Sequence, residues 1–283
     1  MNAYESILFS FVMALLAMAS ACGSEKGADE RPIVVVTLLP QAYFVERLAL
    51  DSVQVEVMIP PGAGHSTYEP TAGQLSALAQ ARLYVKVGHP SFTFETAWLD
   101  KVVRGSTQLR VVDSSVGVNR DDDDPHFWMA PDGARLMARN IAAGLALLLP
   151  EKASDISSNL AALEKDIDSL DAEIKGLLAG TVSKRFYVFH PAFGHFARQY
   201  GLEQVAIEHG HKEPSPDELR RVLQAAKADG AKAILVQPQY SKEAAGVVAA
   251  ETGAPLVEVD PESRQWLASM RQAARAIAEA LAK

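Results

Sequence analysis

Three histidines stand in short loop-like segments at the ends of apolar, β-like runs: Gly64-His65-Ser66-Thr67-Tyr68-Glu69-Pro70, Asp124-Pro125-His126-Phe127-Trp128 and Val188-Phe189-His190-Pro191-Ala192-Phe193-Gly194. Asp260 follows a fourth such run, Leu256-Val257-Glu258-Val259. Together they could give one divalent cation four donors. Neutral imidazole nitrogens and one carboxylate oxygen suit a borderline-soft metal, and a tetrahedral set of four protein donors leaves no position for a reacting water. The chemistry to expect is holding a metal ion rather than using it. Each residue alone reads equally well as a solvated or half-buried side chain. Four metal-competent side chains at four strand ends are the informative feature.

The elements that must position them alternate. Short β-branched runs at Ile33 to Leu39, Val53 to Ile59, Leu83 to Val87 and Leu109 to Val112 are interleaved with helical segments at Tyr43 to Ala49 and Thr71 to Ala81. A second set runs through Phe186 to Phe189, Gln204 to Ile207, Ala233 to Val236 and Leu256 to Val259. Its helices are expected at Asp217 to Asp229, Lys242 to Thr252 and Ser263 to Leu281. Continuous apolar strands separated by helices predict α/β architecture, with a parallel sheet covered on both faces in each half. Loops at the carboxyl ends of such strands are where open α/β sheets bind ligands.

Between the halves, Ile156, Leu160, Leu163, Ile167, Leu170, Ile174 and Leu177 recur at spacings of four and three with no proline from Glu151 to Ala179. This predicts one long amphipathic helix packed across both lobes; the alternative is a coiled-coil strand. A continuous helix resists bending, so large hinge motion is not expected. The expected division is a signal peptide at 1–21, a flexible tether at 22–32, an N-terminal α/β lobe at 33–149, a linking helix at 150–180 and a C-terminal α/β lobe at 181–283.

Of the 283 residues, 27 are Lys or Arg and 35 are Asp or Glu, a formal net charge of −8 that disfavours a nucleic-acid surface. The apolar run Ile7 to Met18 is too short to span a bilayer and reads as an export signal. The sole cysteine, Cys22, follows Ala19-Ser20-Ala21 and precedes Gly23-Ser24, a pattern that resembles the lipobox of bacterial lipoproteins, in which that thiol is acylated. The segment departs from that pattern in carrying Glu5 and no basic residue before the apolar run. An ordinary signal cut after Ala21 is the alternative. Either way the chain is expected outside the cytoplasm, periplasmic or at the cell surface.

Five segments, in order, carry a wider resemblance: His-Ser-Thr-Tyr-Glu-Pro at 65–70, Asp-Pro-His-Phe-Trp-Met-Ala-Pro at 124–131, Phe-His-Pro-Ala-Phe-Gly-His-Phe at 189–196, Glu-Pro-Ser-Pro at 213–216 and Val-Asp-Pro at 259–261. From about Ile33 to Lys283 the chain resembles the metal-binding extracytoplasmic proteins of ABC importers for zinc and manganese. That resemblance implies two lobes joined by one rigid helix, with a metal in the cleft held by His65 and His126 from the first lobe and His190 and Asp260 from the second. It also implies a membrane permease, driven by a cytoplasmic ATPase, as partner; the receptor itself is expected to be a monomer. Manganese members tend to have a carboxylate where His190 stands, so imidazole there favours Zn2+ over Mn2+. Glu69 is expected to hydrogen-bond a ligating imidazole, and affinity is expected to fall as pH drops through about 6 to 6.5.

The chain departs from the family in having Asp121 to Asp124 in place of a histidine-rich loop, read here as a solvated loop, and Gln237-Pro238 where members often have Glu-Pro. The remaining histidines, His89, His195, His209 and His211, are expected not to be ligands. A zinc hydrolase is the rival from another class, but the sequence has neither His-Glu-x-x-His nor Gly-x-Ser-x-Gly. The reading is therefore a receptor and not an enzyme. A surface adhesin with a structural metal is the third alternative.

Overall fold

The computed structural model describes residues 29–119, 123–208, 214–240 and 242–282. The export segment, Cys22, Asp121, Asp122, His209, His211 and Glu213 lie outside the described residues. Pro32–Lys283 forms one compact unit, to which Asp29–Arg31 do not belong. In that short described stretch, Arg31 Nε donates to Asp29 Oδ1 at 2.8 Å.

Within Pro32–Lys283, two four-stranded sheets are parallel throughout. The first holds β1 (Ile33–Val36), β2 (Gln54–Val57), β3 (Leu83–Lys86) and β4 (Arg110–Asp113) in the order β2-β1-β3-β4; the second holds β5 (Arg185–Val188), β6 (Glu203–Ala206), β7 (Ile234–Val236) and β8 (Leu256–Glu258) in the order β6-β5-β7-β8. Pairings such as Val36 with Val57 and Val188 with Ala206 bring strand ends level, so the loops that follow them emerge together. Side chains alternate across each sheet. Phe186 and Val188 enter a core shared by both sheets, while Tyr187 and Phe189 enter a smaller cluster on the other face.

The helices are α1 (Leu39–Ala49), α2 (Ala72–Gln80), α3 (Asp100–Gly105, preceded by a π-helical turn at Glu95–Leu99), α4 (Pro131–Leu148), α5 (Ala153–Leu178), α6 (Gly194–Tyr200), α7 (Pro216–Asp229), α8 (Glu243–Thr252) and α9 (Trp266–Ala280). Their starts are set by local chemistry. Pro40 occupies the first turn of α1, where a missing N–H costs nothing, and Ser215 caps α7 in a reciprocal pair with Glu218. Strand β1 is shorter than its apolar run predicts, because helix α1 begins at Leu39 and takes the chain out of the sheet.

The long helix is 26 residues, introduced by a 3-10 turn at Pro150–Lys152. Its Ile156, Leu163, Ile167, Leu170 and Ile174 are buried against α1 and α4 on one side and α9 on the other. Burial of each contributes about 2 kcal/mol. Around that seam α5 is tied to both halves: Asp166 to Arg47, Asp168 to Arg135, Glu164 to Arg139, and Glu173 to Arg271 and Arg275. Each surface pair is worth little alone, but the set links α5 to elements of both halves. Two buried tryptophans add a direct link. Trp266 Nε1 donates to the Trp128 carbonyl and Trp128 Nε1 to the Pro261 carbonyl, both at 2.8 Å. Among the described residues no helix is long and apolar enough to cross a membrane.

Candidate metal centre

His65 is set by the chain's departure from β2. Pro60 and Pro61 end the strand, Gly62 turns it with φ +77°, and the Gly64 carbonyl accepts from the N–H groups of Thr67 and Tyr68 at 3.1 Å each. The His65 ring stacks on Phe92, centroids 4.8 Å apart. Phe92 belongs to a loop pinned by buried Glu95, whose carboxylate accepts from the N–H groups of Val87 and Gly88 at 2.6 and 2.9 Å and from Thr37 Oγ1 at 2.6 Å. His126 lies at the entry to a 3-10 turn, Phe127–Met129. His190 follows β5. A reciprocal pair of hydrogen bonds with buried Gln237, 3.1 and 3.0 Å, fixes its backbone, and Tyr240 stacks on its ring at 4.3 Å.

The three imidazoles converge. They are 4%, 3% and 2% exposed, and one nitrogen from each lies within 4.8 Å of the other two. Each Nδ1 meets a different carboxylate: His65 with Glu262 at 2.8 Å, His126 with Asp124 at 2.8 Å, His190 with Glu208 at 2.5 Å. A ring whose Nδ1–H donates to a carboxylate carries its lone pair on Nε2. The carboxylates therefore fix tautomer and ring direction together, as ligating histidines require.

Asp260 does not join this group. It lies beyond β8, half-buried, with Oδ1 accepting from Gln239 Nε2 at 2.7 Å and from the Glu262 N–H at 3.0 Å. Burial pushes its carboxyl above the usual range, the Gln239 and Glu262 hydrogen bonds opposing this and the charges of Glu262 and Glu258 adding to it. Glu69 is a correction: it is exposed, and the role expected of it falls to Asp124, Glu208 and Glu262. So is the reading of the aspartate run as solvated loop, at least at its last member. Asp124 is 13% exposed and bonds both the N–H and Nδ1 of His126. The local signal for it was a short carboxylate two residues before a histidine, where it can bond the backbone N–H. His195 lies apart from the cluster, its Nε2 donating to the Asp124 carbonyl at 3.0 Å, and buried His89 accepts at Nδ1 from the Ser91 N–H at 3.2 Å.

Burial is the main cause that lowers His190 to about 4, with the neighbouring His126 and His65 lowering it further and Glu208 opposing. Asp124 is held at about 2: burial pushes it up, but the hydrogen bonds and charge of His126 outweigh that. Protonation of His190 itself is thus pushed to about 4, below the range of about 6 to 6.5 through which affinity is expected to fall. Between pH 6.5 and 4 the unfolded chain takes up a proton that the folded metal-free protein refuses. Stability therefore falls as pH drops through that window, by about 3 kcal/mol from this ring. Titration of the His190 ring signals by NMR in the metal-free protein should give a midpoint near 4; a midpoint of 6 or higher would contradict the buried neutral ring.

Residues 34–280 match the model of the family described as zinc-uptake complex component A, periplasmic, ZnuA. The zinc-binding lipoprotein AdcA of Streptococcus pneumoniae is 26% identical over 275 residues, covering 90% of this chain and 54% of its own length. The chain thus spans about half the length of that relative. The high-affinity zinc uptake system protein ZnuA of Bacillus subtilis is 26% identical, covering 86% of this chain and 84% of its own. A crystal structure of ZnuA superposes with a TM-score of 0.84 at 32% identity, over 89% of this chain and all of that one.

Proposed function

We propose that this chain, which belongs to the ZnuA family of periplasmic zinc-uptake complex component A proteins, captures Zn2+ outside the cytoplasm and delivers it to an ABC permease. One observation carries the reading: three buried imidazoles converge within 4.8 Å, each with Nδ1 on its own carboxylate. Three nitrogen donors suit zinc better than manganese. The cluster is formed from both sheets, so bound metal bridges the halves at 33–149 and 181–283 that the helix at 150–180 joins. Asp260 is the proposed fourth donor, reached by exchanging its Gln239 hydrogen bond for the metal. Cys22 is the proposed lipid anchor that keeps the receptor at the membrane beside its permease.

Elemental analysis of mature protein, stripped and then exposed to equimolar Zn2+ and Mn2+, tests this directly. One zinc per chain is expected, and weaker retention by Asp260→Ala. Preferential manganese uptake would reverse the assignment of the cargo, and unchanged retention by the variant would remove Asp260 from the donor set.

A further inference from the structure

His126 and its carboxylate come from the first half of the chain, yet part of what holds that carboxylate comes from the second. At the start of α6, His195 Nε2 lies 3.0 Å from the backbone carbonyl of Asp124. A carbonyl only accepts, so the ring donates. The preceding residue, Gly194, faces the Asp124 side chain itself. A Cβ there would fall inside van der Waals contact with Oδ2, with Cγ at 3.5 Å and Arg198 Nη1 at 3.6 Å. Asp124 is thus gripped at its backbone by His195 and admitted at its side chain by the missing Cβ of Gly194. Its Oδ1 bonds both the N–H and Nδ1 of His126, so a displaced Asp124 turns the imidazole.

We propose that Gly194 and His195 are positioning residues for metal binding: the second half of the chain sets the direction of the His126 imidazole through Asp124. The proposal rests on the reading of the histidine cluster as a zinc site. Its physical content is that a ligand is oriented by a contact between the halves, so affinity depends on residues that touch neither the metal nor an imidazole of the cluster. Loss of a carboxylate that orients a ligating imidazole weakens metal binding about 10- to 100-fold, and displacing the same carboxylate should act on that scale.

Zinc affinity is measured by competition with a chromophoric chelator, with the melting temperature of each metal-free protein recorded alongside. His195→Leu should weaken zinc by on the order of tenfold. His195→Gln should restore it, because a glutamine amide can donate to the same carbonyl. Gly194→Ala should weaken zinc even though alanine is the better helix former in α6. In an Asp124→Ala background, His195→Leu and Gly194→Ala should change nothing further, an outcome that a general loss of folding would not produce. Wild-type affinity in both single variants, or an equal loss in the Asp124→Ala background, would overturn the proposal while leaving the zinc site standing. Absence of zinc binding by the wild-type protein would instead overturn the site reading, and the proposal with it.

Discussion

Zinc supplied at a thousandfold excess over its dissociation constant should raise the melting temperature of the wild-type protein by about 8–16 °C. In His190→Ala it should raise it by close to nothing. A ligand at that excess that binds only the folded state adds about 4 kcal/mol, and each kcal/mol moves the transition of a chain of this size by about 2–4 °C. His190 is one of three imidazoles that converge. Losing a carboxylate behind such a ring already costs about 10- to 100-fold in affinity, so losing the ring itself should cost more. A thousandfold loss would leave under about 0.5 kcal/mol of stabilisation at the same zinc concentration.

The comparison must be made between zinc-loaded and chelated samples of each variant. His190→Ala also removes the Nδ1 partner of the buried Glu208 carboxylate, which destabilises the metal-free fold for a reason unrelated to zinc. His65→Ala should lose the zinc shift as fully, since His65 stands beyond β2 in the first sheet and His190 beyond β5 in the second. A full shift in either variant would place the metal elsewhere and remove the bridging arrangement.

The sequence was most legible where one periodicity acts alone. Seven aliphatic residues at alternating spacings of four and three marked the long helix, and Ile156, Leu163, Ile167, Leu170 and Ile174 are buried as that stripe requires. Helix α4 went unread because much of its inner face is small: Ala134, Ala138, Ala142 and Gly144 are buried there, and a Cβ on Gly144 would collide with Val112 of β4. Close approach of helix to sheet selects small residues, and these weaken the hydrophobic signal that sequence reading depends on.

His65 and His190 were legible because proline and glycine mark the strand ends they follow; His126 lies well beyond β4, at the entry to a 3-10 turn, and was marked instead by its own Asp-Pro-His-Phe-Trp segment. Their carboxylate partners mostly were not. Glu262 meets His65 across 197 positions of sequence, and Glu208 reaches His190 because β6 lies beside β5. Such pairings are products of the fold, with no local pattern to betray them. Asp124, two residues from His126, was the one partner whose own neighbourhood pointed to it.

Trp266→Ala should lower the unfolding free energy of the metal-free protein by about 5 kcal/mol, the second large effect the fold implies. Trp266 is 1% exposed and packs on Phe44 and Tyr43, with ring centroids 5.1 and 6.2 Å away. Truncating a buried aromatic ring to alanine costs about 3–5 kcal/mol in lost contacts and residual cavity. The variant also deprives the buried Trp128 carbonyl of the indole N–H that satisfies it, a further cost of about 1–3 kcal/mol. Against a typical total of about 5–15 kcal/mol, the variant would be marginal. Trp266→Phe keeps most of the packing and loses the hydrogen bond, so equilibrium unfolding in urea should place it about 1–3 kcal/mol below wild type. Trp266→Ala within 1 kcal/mol of wild type would show that the tryptophan link carries no load. The link also bears on the metal. Trp128 follows His126 by two residues, and the carbonyl it bonds belongs to Pro261, between Asp260 and Glu262. The hydrogen bonds that dock the two halves therefore run through the segments that carry the proposed donors and their carboxylates, and weakening the docking should loosen the proposed site from both sides at once.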